Sequence, residues 1–90
     1  MTSALSDYVG KDVVVDTSTS FVYIGRLTED RGTFYVLEDV DIHDRNESQT
    51  SKEVYVMEAK RFGVKKSRTR TMVRSDLVVS VSLLEEVIVY

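Results

Sequence analysis

Cysteine, proline and tryptophan are all missing from this chain, and histidine occurs once. Without cysteine there is no disulfide framework, no thiolate nucleophile and no cysteine-based zinc knuckle. Without proline, no β-edge is blocked by a residue that lacks an N–H, so any edge strand is free to pair further. No apolar run approaches the roughly 18 residues of a membrane-spanning helix. No basic region followed by an apolar stretch opens the sequence, as it would in a signal peptide. The expected setting is a reducing cytoplasm, away from membranes. There is no serine–histidine pairing with a third partner and no glycine-rich phosphate loop, so the residues motivate no enzyme and imply no cofactor.

What is present is 90 residues with ordinary hydrophobic (42%) and charged (30%) content, enough for one domain spanning 1–90 and a modest core. The formal net charge is -3, yet the positive charge is gathered together. "KRFGVKKSRTRTMVR", Lys60 to Arg74, holds seven of the twelve Lys and Arg residues and no acid. Sign asymmetry of this kind can create an anion-attracting surface on a repelling body, while the plainer alternative is a solvated basic strand or loop.

Strand chemistry dominates. "DVVVDT" (Asp12–Thr17) is β-branched and bounded by Gly10 and a Ser/Thr cluster. "FVYIGRLTE" (Phe21–Glu29) reads as a second strand, with Gly25 marking a bend or close backbone approach. "EDRG" (Glu29–Gly32) is a tight turn into a long third strand, Thr33–Asp44, followed by a polar loop over Arg45–Lys52. The period then changes. Thr50-Ser51-Lys52-Glu53 fits a capping box, and Tyr55, Ala59 and Phe62 give one apolar face, predicting a helix near Ser51–Phe62. Gly63 stands where a left-handed cap is wanted, with Val64 placed to pack back on the helix end. "RTRTMVR" alternates, with Arg68, Arg70, Met72 and Arg74 on one face and Thr69, Thr71 and Val73 on the other. A Ser-Asp turn leads to a fifth strand, Leu77–Leu84, and "SALSDYVG" at the start predicts a short helix with Leu5 and Tyr8 inward.

These elements, in this order, resemble the Sm/LSm family, which includes the bacterial Hfq-type RNA chaperones. The residues that carry the likeness to the first Sm motif are Leu5, Gly10-Lys11, Val13-Val14-Val15, Tyr23, Gly25-Arg26-Leu27, Asp30 and Leu37-Glu38-Asp39. Val73-Arg74-Ser75-Asp76, leading into Val78 and Val81, is similar to the second. The resemblance implies a small five-stranded bent antiparallel barrel of the SH3 type, mostly β, with an N-terminal helix. The helix between strands three and four is an addition to it. Uridine-binding members of the family present Asp-x-Met-Asn after the second strand. Here Thr33 and Phe34 stand at the Met and Asn positions, and Ser75 replaces the glycine of the second motif. Phe34 reads first as a core residue and second as an aromatic platform for a base.

The resemblance further implies that strands four and five of neighbouring subunits pair to close a ring, here a homo-oligomer of roughly five to seven subunits, since a heterologous interface must close or grow into fibres. Arg74 then falls in a turn lining the central opening. Arg68 and Arg70 lie on the strand leading to it, and Lys65, Lys66, Arg31 and Phe34 complete the expected single-stranded RNA or DNA surface. Contacts to phosphate give affinity without reading sequence. The rival is a structural ring in which Lys65, Lys66, Arg68 and Arg70 neutralise acids on the next subunit, and the exposed "LLEEVIVY" tail or the other face of the helix meets a protein partner. Asp39, Asp41 and His43 alternate as oxygen and imidazole metal ligands would, but the expectation is no metal and a solvent-facing edge opposite Val40 and Ile42.

Overall fold

The computed structural model describes residues 5–47 and 50–89. Five strands, β1 (Asp12–Thr17), β2 (Phe21–Asp30), β3 (Phe34–Asp44), β4 (Arg68–Arg74) and β5 (Val78–Leu83), form one antiparallel sheet in the order β4-β3-β2-β1-β5. The mostly-β expectation is borne out, with each predicted strand within a residue or so of its observed bounds. All five strands contribute to one interior cluster of Val13, Val15, Leu27, Leu37, Val40, Val73 and Leu83. The sheet therefore curls around its own core, leaving β4 and β5 as its two edges.

The bend is built at Gly25 and Asp39. The β2–β3 register shifts between Ile24 and Arg26, where Ile24 faces Asp41 but Arg26 faces Glu38. Asp39 is the extra residue on β3 and sits at φ 53, a left-handed value that Asp tolerates better than most side chains. Its carboxylate accepts a hydrogen bond from Arg26 at 2.9 Å. Opposite the bulge, Gly25 leaves no room for a side chain: a Cβ would lie 3.1 Å from the Glu38 carbonyl oxygen. The β2–β3 register shifts again between Leu27 and Glu29, and a bulge on β5 leaves Val79 without a β1 partner between Val78 and Ser80, 71% exposed.

The other face of β1 and β2 is apolar as well. Val14, Val22 and Ile24 are buried under Val56, Ala59 and Leu84. The helix α1 (Lys52–Phe62) supplies this cover, which is why three consecutive valines can all be buried. Ser51 is its N-cap, accepting from the Val54 N–H at 3.3 Å. The cap is one residue later than a box closed by Glu53 requires, so the hydroxyl half forms without the carboxylate half. Gly63, at φ 92, closes the helix through its N–H to Ala59 at 2.9 Å, and Val64 packs back as expected.

Two expectations for this layer are corrected. Phe62 does not join the helix's inner face but is 79% exposed, its place taken by Val56. The tail is not free at its start. Leu84 is buried, Val87 packs on the α1 cluster, and the Lys60 ammonium donates to the carbonyls of Glu85 and Val87. At the N-terminus the described residues form a single 3-10 turn, Ser6–Tyr8, rather than an α-helix. Ser3 and Ala4 of the predicted helix lie outside the described residues. Leu5 and Tyr8 do pack on the interior, and Gly10 N–H donates to Leu27 at 2.6 Å, pinning this turn to β2. Among the described residues no helix is long and apolar enough to cross a membrane.

Candidate nucleic-acid interface

The β2–β3 turn is tightened by the Asp30 carboxylate, which accepts from the Gly32 N–H at 2.8 Å, and by Gly32 itself at φ 80. The turn after β4, Ser75–Leu77, lies beside it. Ser75 stitches the two together: its hydroxyl donates to the Gly32 carbonyl at 2.6 Å and its N–H to that of Thr33 at 2.9 Å. The serine standing where the resemblance expects glycine thus has a role that glycine could fill only with its backbone. Phe34 and Arg74 are direct cross-strand partners just behind the stitch.

This apposition brings Arg31, Phe34 and Arg74 to one end of the sheet. Phe34 is half-buried and belongs to neither apolar cluster, which corrects the first reading of it as core. Both arginines are exposed, and each is held by a neighbouring acid: Arg31 by Glu29 at 3.1 Å and Arg74 by Asp76 at 2.6 Å. The hydrogen bond from Arg31 holds the Glu29 carboxyl below its ordinary range, with the charges of Arg31 and Arg70 adding to the effect. The same bond raises the Arg31 guanidinium further above its already high value.

The remaining sequence-derived residues trail away from this end. Arg70 lies opposite Glu38, and Arg68 opposite Val40, about 20 Å along β4 from Arg74. Lys65 and Lys66 lie in the connection before β4, Lys66 with its ammonium 3.9 Å from Asp39. The basic segment is therefore not one patch. Lys60 is engaged with the tail behind α1, Arg61 belongs to the last turn of α1, and Arg68, Arg70 and Arg74 run as an exposed line along β4 toward the stitched turns.

The alternating Asp39, Asp41 and His43 do not share a solvent face. Asp39, at the bulge, pairs with Arg26, whereas Asp41 and His43 share the face that α1 covers, where His43 is only 6% exposed, stacked on Tyr55 with ring centroids 4.3 Å apart. Tyr55 donates its hydroxyl to Asp41 at 2.9 Å, and burial followed by this bond pushes its phenol far above the ordinary value. Among the described residues no group of three or more His, Asp or Glu comes together to hold a metal ion.

No protein-family model matches the sequence, and no curated protein matches it. Solved structures do. The Sm protein of Pyrococcus abyssii, in complex with a uridine heptamer, superposes with a TM-score of 0.60 at 24% identity, over 88% of this chain and 90% of that one. A chain of the NatC complex bound to CoA superposes with a TM-score of 0.58 at 15% identity, over 92% of this chain and 87% of that one. A heptameric archaeal Sm protein gives 0.54 at 21% identity, over 88% and 93%. Strand order, curled core and these superpositions agree: this chain has the fold of the Sm and LSm proteins.

Proposed function

We propose that this chain is a divergent Sm/LSm-like protein, of the broad kind that includes the Hfq-type RNA chaperones, which closes into a homo-oligomeric ring and binds single-stranded nucleic acid, RNA in preference to DNA. The observation that carries the reading is the Ser75 stitch, which gathers Arg31, Phe34 and Arg74 at one end of the sheet. Phe34 offers a stacking surface that tolerates any base, and the two guanidinium groups suit phosphate oxygens. Arg68 and Arg70, with Lys65 and Lys66 behind them, extend the cationic path along β4. The open β4 and β5 edges supply the means of assembly, because each carries unpaired backbone groups and no proline. Exposed Met72 on β4 and Val79 on β5 add apolar surface to those edges. A ring of roughly five to seven copies would repeat the three-residue cluster around one opening, so that modest contacts act together.

A second reading is a ring that serves as a protein scaffold without nucleic acid. It is favoured by the pairing of Arg31 with Glu29 and of Arg74 with Asp76 within the same turns, which lowers the positive field at the opening. The superposition on a chain of the NatC complex is compatible with it.

Fluorescence anisotropy with labelled oligouridine and oligothymidine, across a salt series, separates the two. The nucleic-acid reading expects log affinity to fall with log salt by about 0.7 per phosphate engaged. It expects Phe34→Ala to weaken binding by about 10- to 100-fold through lost stacking. Arg74→Glu should weaken binding and flatten the salt slope. Unchanged affinity in both variants, or no binding at physiological salt, defeats this reading and leaves the scaffold. Light scattering that shows a monomer at micromolar concentration defeats the ring in either form.

A further inference from the structure

A cavity of about 510 Å³ opens between α1 and the second half of β3, bordered by Asp41, His43, Tyr55, Glu58, Phe62 and Lys65. Its size is that of a site for one bulky side chain or a small molecule. Three features distinguish it from a chance crevice. The His43 residue is only 6% exposed, yet its Nε2 has no hydrogen-bond partner, an arrangement that costs free energy unless something fills it. The Asp41 carboxylate is fixed by the Tyr55 hydroxyl, and a carboxylate has capacity for further donors. Phe62, at 79% exposure, holds a large ring at the mouth with no core to cover.

We propose that this cavity receives an arginine side chain from a protein partner, a role separate from the nucleic-acid reading and standing at the far end of β3 from Phe34. Two carboxylates against one ammonium make the lining net acidic, which repels phosphate and selects a cation. A guanidinium is planar and carries five donors, so it can lie along the His43–Tyr55 stack while meeting more than one acceptor. With the proton on Nδ1 and a small turn of the imidazole, whose Nε2 has no exposed surface as it stands, His43 Nε2 accepts one of those N–H bonds and is no longer orphaned. Asp41 and Glu58 neutralise the charge. The methylene stem of the arginine packs on Phe62 and on the aliphatic wall of Ala59 and Val64. An ammonium would place its charge at one point and leave the flat aromatic wall unused, which favours arginine over lysine.

The test is a titration of the isotopically labelled full chain with N-acetyl-L-arginine amide, following the His43, Tyr55 and Phe62 ring signals by NMR. The comparison probes are the citrulline amide (same shape, no charge), the lysine amide and uridine monophosphate. Saturable shifts with the arginine probe are expected in the range of about 1–10 mM, typical of a single side chain without its peptide. Citrulline should bind at least about tenfold more weakly. Glu58→Lys, at an exposed helix position, should weaken the arginine response at least about tenfold without altering the fold. Asp41→Asn, which keeps an acceptor for Tyr55 while removing charge, should do the same. Absence of saturable shifts, equal binding of citrulline or lysine, uridine monophosphate occupying the cavity instead, or full binding by the two variants would each overturn the proposal. None of these outcomes touches Phe34 or Arg74, so it is judged separately from oligonucleotide binding.

Discussion

The bend of the sheet rests on a missing side chain, and Gly25→Ala measures it. A Cβ at position 25 would stand 3.1 Å from the Glu38 carbonyl oxygen, 3.1 Å from Val40 Cγ2 and 3.2 Å from Val40 Cα. Ordinary contacts between carbon atoms lie near 3.5–4.0 Å, so the neighbours must retreat by several tenths of an ångström. Two of the three are backbone atoms at the Asp39 bulge, and Val40 is fully buried, so neither can swing aside cheaply. Overpacking of this kind costs about 1–3 kcal/mol. At about 4–8 °C per kcal/mol for a domain of this size, the melting temperature should fall by at least about 4 °C. The assay is thermal unfolding by circular dichroism at one fixed protomer concentration, since assembly would make the midpoint concentration-dependent. Val40→Ala in the same background removes one of the three contacts, so the double variant should lose less than the sum of the singles. A Gly25→Ala protein as stable as the parent would refute the close approach, and additive costs would refute its location at Val40.

Two further variants and a titration probe the same architecture. Asp39→Ala places a Cβ-bearing residue without local hydrogen bonding at φ 53 and removes the Arg26 contact, so it should cost about 1–2 kcal/mol. Asp39→Gly should cost distinctly less by urea unfolding, because that ion pair is partly exposed and weak while the backbone preference is not; equal losses would place the cost in the pair instead. Ultraviolet titration should leave Tyr55 un-ionised well above the ordinary phenol value near 10. Its folded-state value is raised, so its contribution to stability is present below the unfolded value near 10 and is lost as pH rises above it. Stability that does not fall above about pH 10, measured as urea midpoints, would contradict the buried Tyr55–Asp41 bond.

The strands were legible because their signals were local. β-branched runs bounded by glycine and polar clusters gave all five, and Gly25 announced the bend in β2. α1 was legible from its ends, Ser51 and Gly63, more than from its middle. Its inner face was misread at Phe62 because the i, i+4, i+7 rule marks one apolar stripe and does not say where the helix overhangs the sheet. The stripe that packs is centred on Val56 and Ala59. The burial of His43 was invisible for a different reason. Alternation does put Asp41 and His43 opposite Val40 and Ile42, but it does not say that α1 covers their face through Tyr55. The bulge was hidden too. Nothing in "LEDVDIHD" marks Asp39 rather than Asp41 as the bulged residue. The partners of the basic segment were equally hidden, because Lys66 meets an acid from β3 and Lys60 meets carbonyls of the tail. Such pairings belong to the fold, not to any window of sequence.

One signal in the sequence was stronger than its use. A V-x-V strand with one face to solvent would carry a polar residue at its centre, whereas Val13-Val14-Val15 carries a third valine. Together with Val22 and Ile24 it makes an apolar outer surface on β1 and β2 that needs a lid, and α1 with Leu84 is that lid. The inserted helix and the third valine are therefore one feature, and neither makes physical sense alone. A helix occupied in covering the sheet has only its rim left for other work. That rim, with Glu58 and Phe62 above His43, whose Nε2 lacks a hydrogen bond, is where a partner would touch this chain without competing with its fold.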